Sequence, residues 1–191
     1  MRHINSKRKG AKKQKRNQII ASIFLASILF ASIFGYAFGG QSSEENEITY
    51  EGYDFTEKNG YWFVDISNFE FSFRYNPNEI EEINADLNFL NSYYEKPLYI
   101  SSEDIESESE IYRNLLDQNS IIQRMQLACL EGEECENEEL PIKTCESNFI
   151  IIQEAEAISI TQEDGCVFIQ GPVEELTKIT DSFLLKIIGV Q

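Results

Sequence analysis

Histidine and closely spaced cysteines are almost absent from this chain, and each absence excludes a kind of chemistry. The only histidine is His3, so residues 41–191 cannot supply a Ser-His-Asp triad, a Cys-His pair or a histidine metal ligand. No C-x-x-C motif occurs, which argues against a thiol redox protein of the thioredoxin kind. Glycine-rich phosphate loops and EF-hand spacings are also missing. We therefore expect a protein that is not an enzyme and has no cofactor.

Basic residues are scarce outside the N-terminal tail. Residues 1–17 hold eight of the 16 Lys and Arg residues and none of the 33 Asp and Glu residues. The remaining eight bases stand against all 33 acids, so residues 41–191 carry a formal net charge of −25. A phosphate backbone needs a basic footprint, so nucleic acid is excluded as a partner. The acidity fits solubility, salt-rich surroundings or attraction of cationic partners.

A run without charged residues separates the basic tail from the acidic region. Its segment "ASIFLASILFASIFG" repeats every five residues, and residues 19–39 provide 21 positions free of charge. At about 1.5 Å per residue, a helix of that length spans roughly 30 Å, the hydrocarbon core of a bilayer. The run predicts a transmembrane helix over residues 18–39. The alternative is a secretory signal cleaved after Ala37-Phe38-Gly39.

The distribution of Lys and Arg predicts the orientation of this helix. The bias places a basic tail, residues 1–17, in the cytoplasm. A polar linker over residues 40–47 and an exterior domain over residues 48–191 then follow the span. The predicted localisation is a single pass through the cell membrane with the C-terminal domain outside. Predicted partners are membrane lipid around residues 18–39 and an unidentified surface protein.

Four cysteines, Cys129, Cys135, Cys145 and Cys166, lie in the predicted exterior domain. An even number in an exported domain predicts two disulfides, for which three connectivities are possible. We predict Cys129 with Cys135 and Cys145 with Cys166, because this choice closes the shortest loops. A zinc site is the alternative, although five, nine and twenty intervening residues do not match C-x2-C pairs.

An acidic stretch follows the first of these cysteines. It carries six Glu residues between positions 131 and 139, of which Glu131, Glu133, Glu134 and Glu136 are weak candidates for binding a divalent cation. Clustered carboxylates suit hard cations, but the stretch lacks the ordered Asp, Asn and Gly spacing of a calcium loop. A solvated surface loop without a metal is therefore the prediction.

Short strands dominate the first half of the exterior domain. Asn59-Gly60 lies between two aromatic arms, which predicts a type I′ hairpin. The next arm, "FEFSFRY", alternates apolar and polar residues, so a third strand with one buried face follows. Trp62 is expected to pack under this meander. Further strands are predicted at "PLYI", "FIII", "AISIT" and "CVFIQG", with Asp164-Gly165 as a hairpin turn. The segment "SIIQRMQLACL" is expected to begin another strand, and the alternative is that it continues the helix before it.

Three helices are expected beside these strands. Asn76-Pro77 predicts one helix start, and Ser102 predicts a second helix that turns Ile105, Tyr112, Leu115 and Leu116 toward the core. The third follows Pro172 and buries Val173, Leu176, Ile179, Phe183 and Ile187. The predicted fold class is α+β: one mostly antiparallel sheet with about three helices on one face.

Several segments together carry a resemblance. These are "YEGYDF", Trp62 and "FRYNPNEIEEI" near the start of the domain, and "LPIKTC", "CVFIQG" and "DSFLLKIIGVQ" near its end. They resemble uncharacterised single-span, membrane-anchored proteins of small-genome archaea. The resemblance implies a cell-surface setting and supplies no catalytic residues.

The predicted function is that of a membrane-anchored, extracytoplasmic binding or interaction domain stabilised by two disulfides. The alternative is a carboxylate-based hydrolase acting on envelope polymers. That alternative needs a cleft with two facing carboxylates, one of them with a raised pKa.

Overall fold

The computed structural model describes residues 18, 20, 22–30, 46–135 and 137–191. Residues 45–191 form one compact unit, whereas residues 1–44 belong to a separate one. Residues 18, 20 and 22–30 are helical. The predicted basic tail and much of the predicted transmembrane helix and linker lie outside the described residues. Among the residues that are described, no helix is both long enough and apolar enough to cross a membrane.

The first half of the compact unit is an antiparallel sheet that we call the meander sheet. Its strands are β1 (Glu47–Tyr50), β2 (Tyr53–Lys58), β3 (Tyr61–Ile66) and β4 (Phe69–Phe73), which pair in sequence order. Asn59 and Gly60 turn between β2 and β3 with φ values of 55° and 79°, as the hairpin signal predicts. Phe71 and Phe73 are buried, and Trp62 packs against the core. The predicted meander is confirmed, with one more strand than expected.

A second sheet, which we call the mixed sheet, has five strands. Its strands are β5 (Pro97–Ser102), β6 (Arg124–Leu127), β9 (Phe149–Glu154), β10 (Ser159–Glu163) and β11 (Cys166–Gly171), in the order β10-β11-β9-β5-β6. The short strands β7 (Cys129–Leu130) and β8 (Ile142–Lys143) pair separately. Three of the four pairings in the mixed sheet are parallel.

The prediction of an α+β fold with an antiparallel sheet is confirmed, but the expectation of one mostly antiparallel sheet is wrong. The strands β5 and β9 are buried on both faces, from Leu98 to Ile100 and from Phe149 to Ile152. Continuous apolar runs of this kind are typical of parallel strands that are covered on both sides. The strand segments were thus recognisable, and their continuous apolar runs also carried a signal for the parallel direction that the prediction did not use.

Two α-helices, α1 (Ile105–Tyr112) and α2 (Leu176–Ile187), pack on one face of the mixed sheet, where they share a single core with the meander sheet. A π-helical turn, Arg113–Asp117, extends α1, and a 3₁₀ turn, Val173–Glu175, precedes α2. The predicted stripe of α2 is buried except for Val173, which is exposed. The opposite face of the mixed sheet is covered by the segments that carry the disulfides.

The helix predicted after Asn76 is only a 3₁₀ turn, Pro77–Glu79. The Asn76 side chain accepts a hydrogen bond from the Asn78 N–H at 2.9 Å, so the cap is present although the helix is not. Irregular chain follows as far as a second 3₁₀ turn, Leu90–Ser92. Asn and Asp compete with helical hydrogen bonds through their own side chains, and Asn84, Asp86 and Asn88 interrupt the apolar pattern here.

The helix predicted from Ser102 is confirmed as α1, but Asp104 caps it. The Asp104 carboxylate accepts the Ser107 N–H at 2.9 Å. Ile105 and Tyr112 are 71 % and 46 % exposed, so the expectation that they face the core is wrong. The buried face of α1 is partly polar and includes Ser107 and Glu110, and it continues into the π-helical turn with Asn114. Leu115 is buried and Leu116 packs against the core, so the prediction is confirmed for these two residues and wrong for Ile105 and Tyr112.

Candidate functional site

A cleft of about 810 Å³ opens at the carboxyl ends of the parallel strands β5, β6 and β9. Ser101 and Ser102 end β5, Leu127 ends β6, and Gln153 lies near the end of β9; all four line the cleft. From β5 the chain passes through α1 to β6, at one edge of the sheet. From β9 it passes to β10, at the opposite edge. Such a divergence of connections opens a crevice at the carboxyl ends of the strands, where α/β sheets commonly bind ligands.

Glu103 spans the two central strands at the rim of this cleft. Its backbone N–H donates to the Ile152 carbonyl at 3.0 Å, and its side-chain Oε2 accepts the Glu154 N–H at 2.6 Å. These two hydrogen bonds fix the residue directly after β5 to the end of β9. The carboxylate of Glu103 is therefore held in place although the residue is exposed.

The segment 129–143 covers the cleft, and we call it the disulfide loop. The Cys129–Cys135 disulfide joins Cα atoms 5.7 Å apart. At the base of the loop the Cys129 N–H donates to the Pro141 carbonyl at 3.0 Å, and the Glu131 N–H donates to the Lys143 carbonyl at 2.8 Å. Glu133, Glu134, Asn137 and Leu140 of this loop line the cleft. A covalent bond and a small strand pair thus position these side chains over the ends of the strands.

Negative charge dominates the lining of the cleft. Glu103, Glu133 and Glu134 belong to it, and no Lys or Arg is found among its described lining residues. Hydroxyl and amide groups of Ser101, Ser102 and Gln153 add hydrogen-bonding capacity. A concave surface lined by charge of one sign raises the local concentration of ligands with the opposite sign. The arrangement suits a cationic, hydrogen-bonding ligand.

The weak metal candidates are only partly brought together. Glu133 and Glu134 line the cleft, Glu131 is exposed and does not line it, and Glu136 lies outside the described residues. Over residues 46–135 and 137–191, no group of three or more His, Cys, Asp or Glu side chains is arranged to hold a metal ion. The described geometry supplies no coordination shell for a divalent cation.

All four cysteines form the predicted pairs. Cys129 bonds to Cys135, and Cys145 bonds to Cys166 with Cα atoms 4.8 Å apart. The second disulfide lies beside the Asp164-Gly165 turn, where a Cβ on Gly165 would stand 2.4 Å from the Ser147 carbonyl oxygen. Glycine is required there by this close approach. With every cysteine sulfur in a disulfide, thiolate ligands for zinc are not available.

A buried polar cluster lies on the other side of the mixed sheet, between β4, α1 and α2. Glu110 of α1 and Asp181 of α2 are fully buried. Burial raises the pKa of Asp181 well above its usual range, and the neighbouring Glu110 charge raises it further. Burial also raises the pKa of Glu110, although Arg113 and Arg74 oppose that shift. These two facing carboxyls line neither the cleft nor the smaller pocket beside Ile80, Ile158 and Ile179.

Side chains of the helical segments also close the free edge of β4. Asn119 pairs with the backbone N–H and carbonyl of Glu70, and Asn114 pairs with those of Ser72 at 2.8 Å each. Asp181 accepts the N–H of Arg74 at 3.0 Å. The contacts recur at every second residue, as the pairing of a neighbouring strand does. The edge is thereby protected from pairing with another chain.

Sequence reasoning missed the cleft residues at the strand ends and the buried cluster. The runs "PLYISS" and "FIIIQE" carry a usable signal, because strands that are apolar on both faces favour a parallel sheet with a site at its carboxyl edge. The signal for Asp181 is its position between Ile179 and Phe183 in an otherwise buried helix. An acid at such a position needs partners within the core.

Comparison of the chain with protein-family models, with curated proteins and with solved structures finds no match in any of the three. The resemblance to archaeal membrane-anchored proteins stays a prediction.

Proposed function

We propose that residues 48–191 are the extracytoplasmic binding domain of a membrane-anchored protein, and that its cleft receives a basic segment of a surface partner protein. In this proposal the domain has no catalytic activity. The two disulfides support an oxidising, extracytoplasmic compartment, since disulfides persist there and are rare in the cytosol.

The observation that carries the binding function is the acidic cleft itself. It combines a volume of about 810 Å³ with serine hydroxyls at strand ends, the Glu103 carboxylate at its rim, and the Glu133 and Glu134 carboxylates in the disulfide loop that covers it. Lys and Arg side chains complement such a lining through charge-assisted hydrogen bonds. The disulfide loop preorganises Glu133 and Glu134, so that little ordering entropy is lost on binding.

The hydrolase alternative finds less support in the same geometry. The two carboxyls that face each other and have raised pKa values, Glu110 and Asp181, are enclosed in the core. A polymer chain has no access to them. A general acid must be within hydrogen-bond reach of the leaving group, so this pair favours a structural role.

Neutralising the roof of the cleft is expected to weaken binding of a basic peptide. The test uses the full-length protein and a fluorescently labelled tetralysine peptide, followed by fluorescence anisotropy at low ionic strength. We expect Glu133→Gln combined with Glu134→Gln to raise Kd about tenfold, because each exposed charge pair contributes up to about 1 kcal/mol.

The matched control changes the same charge within the same loop. Glu138→Gln combined with Glu139→Gln alters two exposed acids that do not line the cleft, and it is expected to change Kd less than about twofold. Equal weakening by both pairs would show that tetralysine is attracted by overall charge alone, and would contradict the proposal that the cleft is the binding site.

A further inference from the structure

Two buried carboxyl oxygens in the polar cluster have no hydrogen-bond partner. They are Oε1 of Glu110 and Oδ1 of Asp181. The second oxygen of each group is occupied: Glu110 Oε2 accepts a hydrogen bond from Arg113, and Asp181 Oδ2 accepts the N–H groups of Arg74 and Tyr75 at 3.0 and 3.1 Å. An unpaired oxygen in a dry interior is costly. Two such oxygens in neighbouring acids require an explanation.

The two side chains are close enough to each other for a hydrogen bond. Two ionised carboxylates are both acceptors and repel each other, whereas a carboxylic acid donates to a carboxylate. A single proton placed between Oδ1 and Oε1 therefore satisfies both free oxygens with one hydrogen bond. If both groups are charged, Oδ1 of Asp181 and Oε1 of Glu110 have no partner. If one group is neutral, the two oxygens share a hydrogen bond.

The balance of charges within the cluster also indicates one bound proton. The groups that face the pair are Arg74 at the end of β4, Tyr61 of β3, Glu106 of α1 and Arg113 of the π-helical turn. Arg74 contacts Glu106 at 2.5 Å, and Arg113 contacts Glu110. Two cations are thus matched by two anions.

Ionising Asp181 as well would leave one uncompensated negative charge in the core. Asp104, the cap of α1, lies on the same side but is held by hydrogen bonds from Ser107 and Thr177. Although burial opposes the effect, these hydrogen bonds keep the pKa of Asp104 below its usual value. Asp104 therefore does not compete for the proton.

We propose that Glu110 and Asp181 hold one proton between them at neutral pH, and that this carboxyl–carboxylate hydrogen bond is a pH-sensitive lock that fastens the meander sheet to α1 and α2. The proton resides mainly on Asp181, since Glu110 has the arginine neighbours. Through its other oxygen Asp181 accepts the N–H groups of Arg74 and Tyr75, which directly follow β4. One proton thus connects three elements.

The direction of the pH dependence follows from the raised pKa values of the pair. A carboxyl whose pKa is higher in the folded than in the unfolded chain takes up a proton on folding, so stability falls as the pH rises. The contribution is fully present below about pH 4, the unfolded value, and it is lost as the pH rises through the folded-state pKa. Asp104, whose pKa is lowered, acts in the opposite sense and only near or below that value.

The test is urea unfolding of the full-length protein between pH 5 and pH 8, followed by the fluorescence of Trp62, the only tryptophan. The folding equilibrium constant of the unmodified protein is expected to fall at least tenfold over this range. In Asp181→Asn the amide N–H₂ donates to Glu110 as the proton did, and the amide oxygen still accepts both N–H groups. This variant is expected to lose the pH dependence and to be at least as stable as the unmodified protein at pH 8.

Glu156→Gln is the control for overall charge, since Glu156 is exposed and distant from the cluster in sequence; it is expected to keep the pH dependence. Asparagine reproduces the hydrogen bonds of the neutral acid. If Asp181→Asn still shows the pH dependence of stability, or does not fold at any pH, the proposal of a shared proton is therefore wrong. Infrared spectroscopy of the unmodified protein and of Glu156→Gln at pH 7 provides a readout independent of stability. Both are expected to show the C=O band of a protonated carboxyl, and its absence would equally overturn the proposal.

Discussion

Replacing Asn114 with alanine is expected to lower the free energy of unfolding by about 3 kcal/mol. Asn114 is fully buried, and its amide holds both backbone groups of Ser72 as well as the Glu110 carbonyl. The substitution leaves these groups without hydrogen-bond partners in the core, and each buried unpaired polar group costs about 1–3 kcal/mol. Urea unfolding at pH 7, followed by Trp62 fluorescence, measures the change.

Asn119→Ala is the matched control for this prediction. Asn119 makes the same pair of contacts with the backbone of Glu70, but it is only partly buried. Water can replace its hydrogen bonds, so a loss of about 1 kcal/mol is expected. If Asn114→Ala and Asn119→Ala lower the free energy of unfolding equally, burial does not determine how much the contacts at the β4 edge stabilise the protein.

Removing the Cys145–Cys166 disulfide by a double alanine substitution is expected to cost about 3 kcal/mol. The bond closes a loop with a sequence separation of 21, and constraint of the unfolded chain grows with the length of the closed loop. Cys166 is also fully buried against Phe149 and Ile151. The free energy of unfolding in urea, measured without reductant, tests the prediction.

The other disulfide serves as the comparison. Cys129–Cys135 has a sequence separation of only 6, so its removal is expected to cost about 2 kcal/mol. It closes the roof of the cleft, however, and its loss should weaken tetralysine binding in protein that remains folded. Unchanged binding without Cys129–Cys135, or a larger loss of stability there than at Cys145–Cys166, would contradict the separate roles given to the two bonds.

The sequence predicted those parts of the fold that depend on local chemistry. Asn59, Gly60 and Asp164 have the positive φ that their turns require, and the apolar stripe of α2 has a helical period. Disulfide pairing followed from loop length. The turns and the helical stripe depend on residues that are close together in the sequence, and the disulfide pairs depend on the spacing of the cysteines.

Long-range partners decide the rest, and the sequence identifies none of these partners directly. The polar face of α1 and of the π-helical turn after it is buried because Glu110 and Asn114 find partners on α2 and β4, far away in the sequence. The cleft depends on β5 and β9 being parallel neighbours, which strand propensity does not encode. Ser101 and Glu103 become candidate binding residues only once that pairing is known.

The most direct test of an extracytoplasmic, disulfide-stabilised domain is the intact mass of the protein extracted from membranes of its native cells, with and without reductant. We expect the full-length mass and a gain of about 4 Da on reduction, two hydrogens for each of two disulfides. A mass that does not change on reduction would show four free thiols. That result would place the domain in a reducing compartment and contradict the proposed exterior location.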